Sequence, residues 1–358
     1  RLLPPEDAPL RTEGRYIVSA AGERVKWACL NWYGAYSIKH VVGGLEVRNI
    51  SDIVARTKEL GFNCIRLCYS TQAYVEDPLI EDEAVSANPA FQGGKTFLEV
   101  FDSTVEVITA HGLMVIINNH NHKSGWCCHY SQEEGLWYTD EYPESEWIRS
   151  LVGMAERYRN NPLVVAIDLR NEVHDYQDTV LTWGDGDPKT DWAAAATRAG
   201  NAVLAANPDV LIVVMALCFG MDLRPAREHP VSLSVSNRVV YQTHNYLEFQ
   251  VWLAISQGFA SWDSIRAASF WGVALSAACG GLLARAWWAV GRPRPKWSTA
   301  LVVAGSWWTA LCLVTFGICL ALYTVCARYC GYWANRDIRP AYIAALCAAP
   351  LGVAAAGW

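Results

Sequence analysis

Six short apolar runs of strand length recur along the first two thirds of the 358-residue chain, and each is followed by enough residues for a helix and a loop. The runs cover residues 25–31, 63–69, 113–120, 163–170, 210–217 and 239–244. Amphipathic segments lie between them at residues 50–60, 96–111, 144–158 and 191–206, and Gly61 and Gly112 follow two of these as helix-ending residues. The alternation predicts βα units around a parallel sheet. The predicted fold is α/β, a (β/α)8 TIM barrel that is incomplete in this chain, because about six βα units are present where a closed barrel needs eight.

The charge of the chain divides sharply near residue 266. Residues 1–266 contain 22 basic and 34 acidic side chains, whereas residues 267–358 contain seven basic side chains and one acidic side chain. An acidic, water-exposed part is therefore joined to a basic, apolar part, and no basic patch indicates a nucleic-acid partner. We predict two domains, a barrel portion at residues 1–262 and a membrane region at residues 263–358.

The second domain contains long apolar stretches. Residues 267–290 are uncharged except for Arg285, and residues 298–327 carry no charge, so both exceed the roughly 20 residues that cross a hydrocarbon core. With a third stretch at residues 340–358, the pattern predicts two to three transmembrane helices and lipid as a partner. The loop at residues 291–297 holds three basic residues and no acidic one, which orients it toward the cytosol and the barrel portion toward an extracellular or lumenal space.

Cysteines and a sequon agree with that location. Six of the twelve cysteines lie in each part of the chain, and Cys127 is followed directly by Cys128. Disulfides in an oxidising compartment are one interpretation, and free buried thiols are another. Asn49 begins an Asn-Ile-Ser glycosylation sequon, a triplet that also occurs by chance. The chain starts without Met or a signal peptide, so we expect the native protein to extend beyond it.

Polar side chains follow the apolar runs at the same end of several predicted strands. Residues 164–174 read VVAIDLRNEVH and deliver Asn171 and Glu172 side by side. Barrel enzymes assemble their sites at the carboxyl ends of strands, so Glu172 is the predicted general acid/base. Taken alone, it could be a solvated loop carboxylate. The other candidates, which alone could be an ion-pair partner, a core histidine or packing residues, are Arg66, His120, His244 and Tyr246.

These motifs resemble glycoside hydrolase family 5, the cellulase-type barrels of clan A. The resemblance covers about residues 16–246 and is carried by NCIRL at 63–67, NNH at 118–120 with GWCC at 125–128, LRNEV at 169–173 and HNY at 244–246. It implies that Glu172 protonates the leaving glycosidic oxygen and that Asn171 hydrogen-bonds a sugar hydroxyl. It also implies that Arg66, His120, His244 and Tyr246 orient the carboxylates.

The same resemblance implies a nucleophilic Glu at the end of a seventh strand. After Tyr246 the acidic residues are Glu248, Asp263 and Asp337, and none ends a strand-like run, so the nucleophile stays unknown. Either the membrane spans interrupt the barrel, with a fourth span and the last strands beyond Trp358, or the chain has lost its nucleophile and only binds sugar. The surviving Asn-Glu pair and its supporting residues favour interruption.

The predicted function is a membrane-anchored, retaining glycoside hydrolase that cleaves β-linked glucan or a related glycan by double displacement, without metal or organic cofactor. A transglycosylase and a catalytically inactive glycan-binding membrane protein are the alternatives. Oligosaccharide, polysaccharide and glycolipid all stay open as the bound glycan. Loop aromatics could offer flat faces to sugar rings, and we expect Trp126 and Trp137 to do so before Trp32, Tyr138 and Trp183.

Overall fold

The computed structural model describes residues 2–127 and 133–245. One compact unit comprises Arg1–His244. The predicted boundary after residue 262, the membrane region and the place of two further barrel strands lie outside the described residues. The same is true of Cys128, Tyr246, Glu248, Asp263 and Asp337.

A small antiparallel sheet opens the chain. Its strands are β1 (Arg11–Glu13), β2 (Tyr16–Val18) and β3 (Arg24–Val25). Leu3 and Leu10, which flank this sheet on its N-terminal side, pack in a buried cluster with the first residues of the barrel strands, Cys64 and Met114 among them. The N-terminal segment therefore covers the amino end of the barrel, opposite to the end where the predicted site lies.

Six parallel strands form the main sheet in chain order. They are β4 (Cys29–Trp32), β5 (Cys64–Ser70), β6 (Met114–Asn121), β7 (Val164–Asp168), β8 (Leu211–Met215) and β9 (Val239–Gln242). Every residue of β5, β7 and β8 is buried, as the continuous apolar runs predict for strands covered on both faces. The six predicted strands are confirmed.

One predicted strand has the wrong start. Residues 25–31 were expected to form a single strand, but Val25 belongs to β3 and the barrel strand begins at Cys29. The side chain of Asn63 explains the break, because its Oδ1 accepts a hydrogen bond from the backbone N–H of Ala28 and its Nδ2 donates one to the carbonyl of Lys26. These backbone groups are thus paired outside the strand ladder.

Helices cover the sheet between the strands. They are α1 (Ile50–Glu59), α2 (Thr71–Glu76), α3 (Phe97–Ala110), α4 (Glu144–Arg157) and α5 (Trp192–Ala206), with short 3-10 helices at Pro5–Asp7, Asp82–Val85, Pro89–Phe91, Glu133–Gly135 and Arg224–Arg227. The segment α6 (Leu217–Gly220) is a turn, because Cys218 and Phe219 have positive φ angles of 54° and 58°. The four predicted helices match α1, α3, α4 and α5 to within two residues. A capping box between Thr96 and Glu99 begins α3, and Gly61 and Gly112 adopt the left-handed backbone that ends a helix.

The structure shows which of the described cysteines form disulfides and which one is free. Cys29 and Cys64 occupy paired positions at the start of neighbouring strands and form a disulfide. Cys127 and Cys218 each take part in a disulfide bond as well, whereas Cys68 is a buried free thiol. The disulfide interpretation holds for four cysteines in the described part of the chain. The extracellular or lumenal location stays a prediction.

Transmembrane helices were predicted only for residues after 266. In residues 2–127 and 133–245, no helix has the length and apolar character needed to cross a membrane. All three predicted spans lie beyond that part of the chain, so they stay predictions.

Candidate active site

Five predicted site residues meet at the carboxyl ends of the barrel strands. Arg66 lies in β5, His120 lies in β6, and Asn171 and Glu172 follow β7. His244 follows β9. The parallel register brings the positions on β6, β7 and β9 to one edge of the sheet, which is where the sequence predicted a site. Arg66 is an exception, because it lies in the first half of β5 and not at its end as predicted, and only its side chain reaches Asn171.

Glu172 contacts His244 directly. The Nδ1 of His244 lies 2.7 Å from Oε1 of Glu172, and the carboxyl group is almost fully buried. The Nε2 of His244 lies 3.1 Å from the amide nitrogen of Gln242, which can only donate. His244 is thus held between Gln242 and Glu172, with one ring nitrogen within hydrogen-bond distance of each. No sequence motif indicated the contact with Gln242.

Arg66 connects the site to the core of the barrel. Its Nε donates to Oδ2 of the buried Asp168 at 2.7 Å, and its Nη2 donates to Oδ1 of Asn171 at 3.1 Å. Both charges of the Arg66–Asp168 pair are buried, so each depends on the other for compensation. The pair therefore holds Oδ1 of Asn171 toward Arg66. Asp168 ends a strand and was overlooked because it reads as part of the apolar run.

His120 is a neutral hydrogen-bonding group. Its Nδ1 lies 2.8 Å from Oδ1 of Asn118, its Nε2 lies 3.3 Å from Sγ of Cys127, and its ring centroid is 4.0 Å from that of Tyr36. Burial lowers the pKa of His120 well below its ordinary value, and the nearby Arg66 lowers it further. The Nδ1 thus carries the proton and donates to Asn118.

Tyr36 packs against His120 at the edge of the site. No sequence motif indicated this residue. Burial raises the pKa of this phenol to about 12, and the nearby Glu172 carboxylate adds to the effect. Its carbonyl accepts a hydrogen bond from the N–H of Gly125, so the loops after β4 and β6 are joined beside His120. Tyr36 is therefore protonated near pH 7.

A second buried ion pair holds the loop after β6. Nη2 of Arg170 donates to Oε2 of Glu134 at 2.7 Å, and Nη1 donates to Oδ1 of Asn119 at 3.0 Å. The Glu134 carboxylate also accepts from the backbone N–H groups of His122 and Lys123. Arg170 therefore anchors both ends of the loop that carries Trp126 and Cys127.

The two aromatic residues expected to contact sugar have different environments. Trp126 is 75% exposed, so most of its side chain faces solvent. Trp137 is fully buried, donates from its indole to Glu144 at 2.8 Å and packs beside Trp192. The predicted sugar-binding role of Trp137 is therefore wrong, because no face of the ring reaches solvent. Trp32 and Trp183 are buried as well.

Metal ligands are not grouped at this site. Across residues 2–127 and 133–245, no cluster of three or more His, Cys, Asp or Glu side chains could hold a metal ion. The chemistry that the described side chains offer is proton transfer by a buried carboxyl beside a histidine, with amide and guanidinium donors around it.

The fold and the site define a class, the parallel α/β barrel proteins with a carboxyl group at the carboxyl end of the strands. A family model described as Cellulase (glycosyl hydrolase family 5) matches residues 18–269. The chain belongs to glycosyl hydrolase family 5, and the resemblance seen in its motifs is confirmed.

Relatives of this chain include bacterial and archaeal endoglucanases. The endoglucanase of Paenibacillus polymyxa is 36% identical over 246 residues, which is 66% of this chain and 59% of that protein. The chain thus spans about three fifths of that relative. The catalytic domain of the major endoglucanase from Xanthomonas campestris pv. campestris is similar in structure, with a TM-score of 0.59 and 32% identity over 66% of this chain and 68% of that one. A cellotetraose complex of the endocellulase from Pyrococcus horikoshii gives a TM-score of 0.59 at 28% identity, over 68% of this chain and 71% of that one.

Proposed function

We propose that this protein is an endoglucanase-type glycoside hydrolase that cleaves β-linked glucan, with Glu172 as its general acid/base. The observation that carries the proposal is the 2.7 Å contact between Glu172 and His244 at the carboxyl end of the barrel. A buried carboxyl group in such a position can hold and release a proton beside a bound sugar. The relatives named as endoglucanases support a glucan rather than another glycan as the substrate.

Asn171 is the proposed contact to the sugar hydroxyl beside the reacting carbon. Arg66 donates to its Oδ1, and its Nδ2 lies 3.9 Å from Sγ of Cys127. An amide nitrogen carries two N–H donors, so this group is the part of the side chain proposed to donate to a ligand. The exposed ring of Trp126 is the proposed stacking surface for a neighbouring sugar. Tyr246 stays a proposed supporting residue on the basis of the sequence motif.

Hydrolysis with retention also needs a nucleophilic carboxylate about 5–5.5 Å from Glu172. Asp168 and Glu134 lie near the site, but each is held by a buried arginine, and neither is suited to attack the anomeric carbon. We therefore propose that the nucleophile comes from a part of the protein outside residues 2–127 and 133–245. Double displacement is proposed on the strength of the family resemblance.

Membrane anchoring is a separate proposal. It is supported by the uncharged residues 298–327, which are long enough to span a hydrocarbon core. Extraction of membranes with alkaline carbonate tests it. An anchored protein stays in the pellet, whereas release into the supernatant would contradict anchoring.

Replacement of Glu172 by Gln tests the enzymatic proposal. We expect release of reducing ends from carboxymethylcellulose to fall about 10²- to 10⁴-fold, because the amide cannot donate and accept the proton. Calorimetric binding of cellotetraose should persist. Glu106→Gln is the matched control, since Glu106 is exposed on α3 and no residue of that helix belongs to the site.

Two results would contradict the proposal. Equal activity of the wild-type protein and Glu172→Gln would remove Glu172 from the chemistry. Binding of cellotetraose by a wild-type protein that releases no reducing ends would instead support the glycan-binding alternative.

A further inference from the structure

The backbone of Glu172 is held in an unusual conformation. Its φ is 46°, in the left-handed region that side-chain-bearing residues rarely adopt, at a cost of roughly 1–2 kcal/mol. Such a residue persists only where its surroundings impose the geometry. The neighbouring backbone is tied on both sides, because Asn171 N–H donates to the carbonyl of Asn119 and His174 N–H donates to the carbonyl of Gly135.

The carbonyl of Glu172 itself is bound by a side chain. Nδ1 of His174 lies 2.5 Å from this oxygen. Burial lowers the pKa of His174 to about 4, so the ring is neutral near pH 7 and carries a single proton. Because a carbonyl oxygen only accepts, that proton sits on Nδ1. Among the described residues, Nε2 of His174 has no hydrogen-bond partner, so the one donor of the ring is directed at Glu172.

The ring of His174 has no room to turn. It stacks on Phe219 with centroids 3.7 Å apart and an angle of 15° between the planes. Its Cδ2–Nε2 edge lies against Gly135, where an added Cβ would be 2.9 Å from Cδ2 and 3.0 Å from Nε2. A rotation that moved Nδ1 away from the Glu172 carbonyl would have to displace one of these neighbours.

The segment that carries Phe219 also positions the partner of Glu172. The N–H of Phe219 donates to the carbonyl of Val173, and the carbonyl of Gly220 accepts from the N–H of His244. Phe219 and Gly220 therefore contact both the residues that follow Glu172 and the backbone of His244.

We propose that His174 is a positioning residue, which holds the left-handed backbone of Glu172 through its Nδ1–H so that the carboxyl group meets His244. The inference rests on the proposed role of Glu172 as general acid/base. His174 touches no reacting atom and acts only through Glu172. A displacement of the acid on the order of 1 Å is enough to lower turnover by about 10- to 100-fold.

Two substitutions separate the hydrogen bond from the stacking. His174→Asn places an amide N–H where Nδ1 stood but removes the ring, whereas His174→Phe keeps a ring against Phe219 but removes the donor. We expect His174→Phe to lower kcat on carboxymethylcellulose about 10- to 100-fold with KM changed less than about twofold. His174→Asn should recover most of that loss, although it loses the stacking contact.

A readout without turnover distinguishes this inference from the proposed function. In protein labelled with 13C at the Glu carboxyl groups, the Glu172 signal is identified by its absence from Glu172→Gln and titrated by NMR. We expect its midpoint to move in His174→Phe and to stay at the wild-type value in His174→Asn. An unchanged titration in His174→Phe would overturn the positioning role, as would an equal loss of kcat in both variants. Failure of the wild-type protein to cleave glucan would refute the proposed function, while the titration would still test His174.

Discussion

At the scale of single residues, the site depends on a few buried charges and on their partners. Arg66 is oriented by Asp168, and Arg170 is oriented by Glu134. The sequence identified Glu172 because it follows an apolar run, and it identified Arg66 through the NCIRL motif. It could not identify Asp168, because an aspartate inside such a run becomes meaningful only when its neighbour across the sheet is known.

Loss of the Asp168 carboxylate should therefore be costly. Asp168→Asn leaves the Arg66 guanidinium buried without a counter-charge, and we expect the free energy of unfolding to fall by about 3–5 kcal/mol. Urea denaturation followed by circular dichroism measures it. Glu59→Gln is the control, because the Arg56–Glu59 pair is exposed and should contribute less than about 1 kcal/mol. Equal stability of the two variants would show that the buried pair is dispensable.

At the scale of elements, the sequence predicted the strands and helices whose apolar residues recur with a regular period. Six strands and four helices were located because their apolar spacing extends over many residues. The strands β1 to β3 were missed since two or three residues carry no readable period. Trp137 and Trp126 could not be told apart for a related reason: both lie in loops, and only the packing of Trp137 against Trp192 reveals which one is core.

The turn α6 illustrates how an element places a site residue. Gly220 has a φ of 83°, and an added Cβ would lie 2.8 Å from Sδ of Met215, 3.0 Å from N of His244 and 3.1 Å from its Cβ. We expect Gly220→Ala to displace His244 from Glu172 and to lower kcat about 10- to 100-fold. Steady-state kinetics on carboxymethylcellulose measure this.

Gly186 provides the matched control for that substitution. Its φ of 84° is nearly the same, but an added Cβ would meet no atom within 4 Å. Gly186→Ala should therefore cost only the backbone strain of roughly 1–2 kcal/mol and leave kcat near the wild-type value. If both variants lost activity equally, strain alone and not the contact with His244 would be responsible.

At the scale of the whole molecule, a disulfide joins the starts of the first two strands of the main sheet. The Cys29–Cys64 disulfide closes a loop with a sequence separation of 35 residues between β4 and β5. Loop closure of this length restricts the unfolded chain, so Cys29→Ser with Cys64→Ser should lower the free energy of unfolding by about 3–4 kcal/mol. Denaturation of both proteins with and without reductant measures it. An equal effect of reductant on the double variant would place the stabilisation in other disulfides.

The two-part composition is also a whole-molecule property that the sequence showed directly. Charge counts separate an acidic barrel portion from a basic, apolar region without any structural information. The atomic arrangement of the site was beyond such counts, because hydrogen bonds such as His244 to Glu172 join residues that are 72 positions apart.

Chemical rescue of a Glu172→Ala variant tests the central claim most directly. A dinitrophenyl β-cellobioside has a leaving group that needs no protonation, so a retaining enzyme without its acid/base can still form the glycosyl-enzyme but cannot activate water to release it. Azide needs no general base and attacks the same intermediate. The account predicts that azide accelerates turnover of Glu172→Ala and that NMR identifies the product as the β-glycosyl azide. No acceleration, or formation of the α-glycosyl azide, would contradict the assignment of Glu172 as the acid/base of a retaining glycosidase.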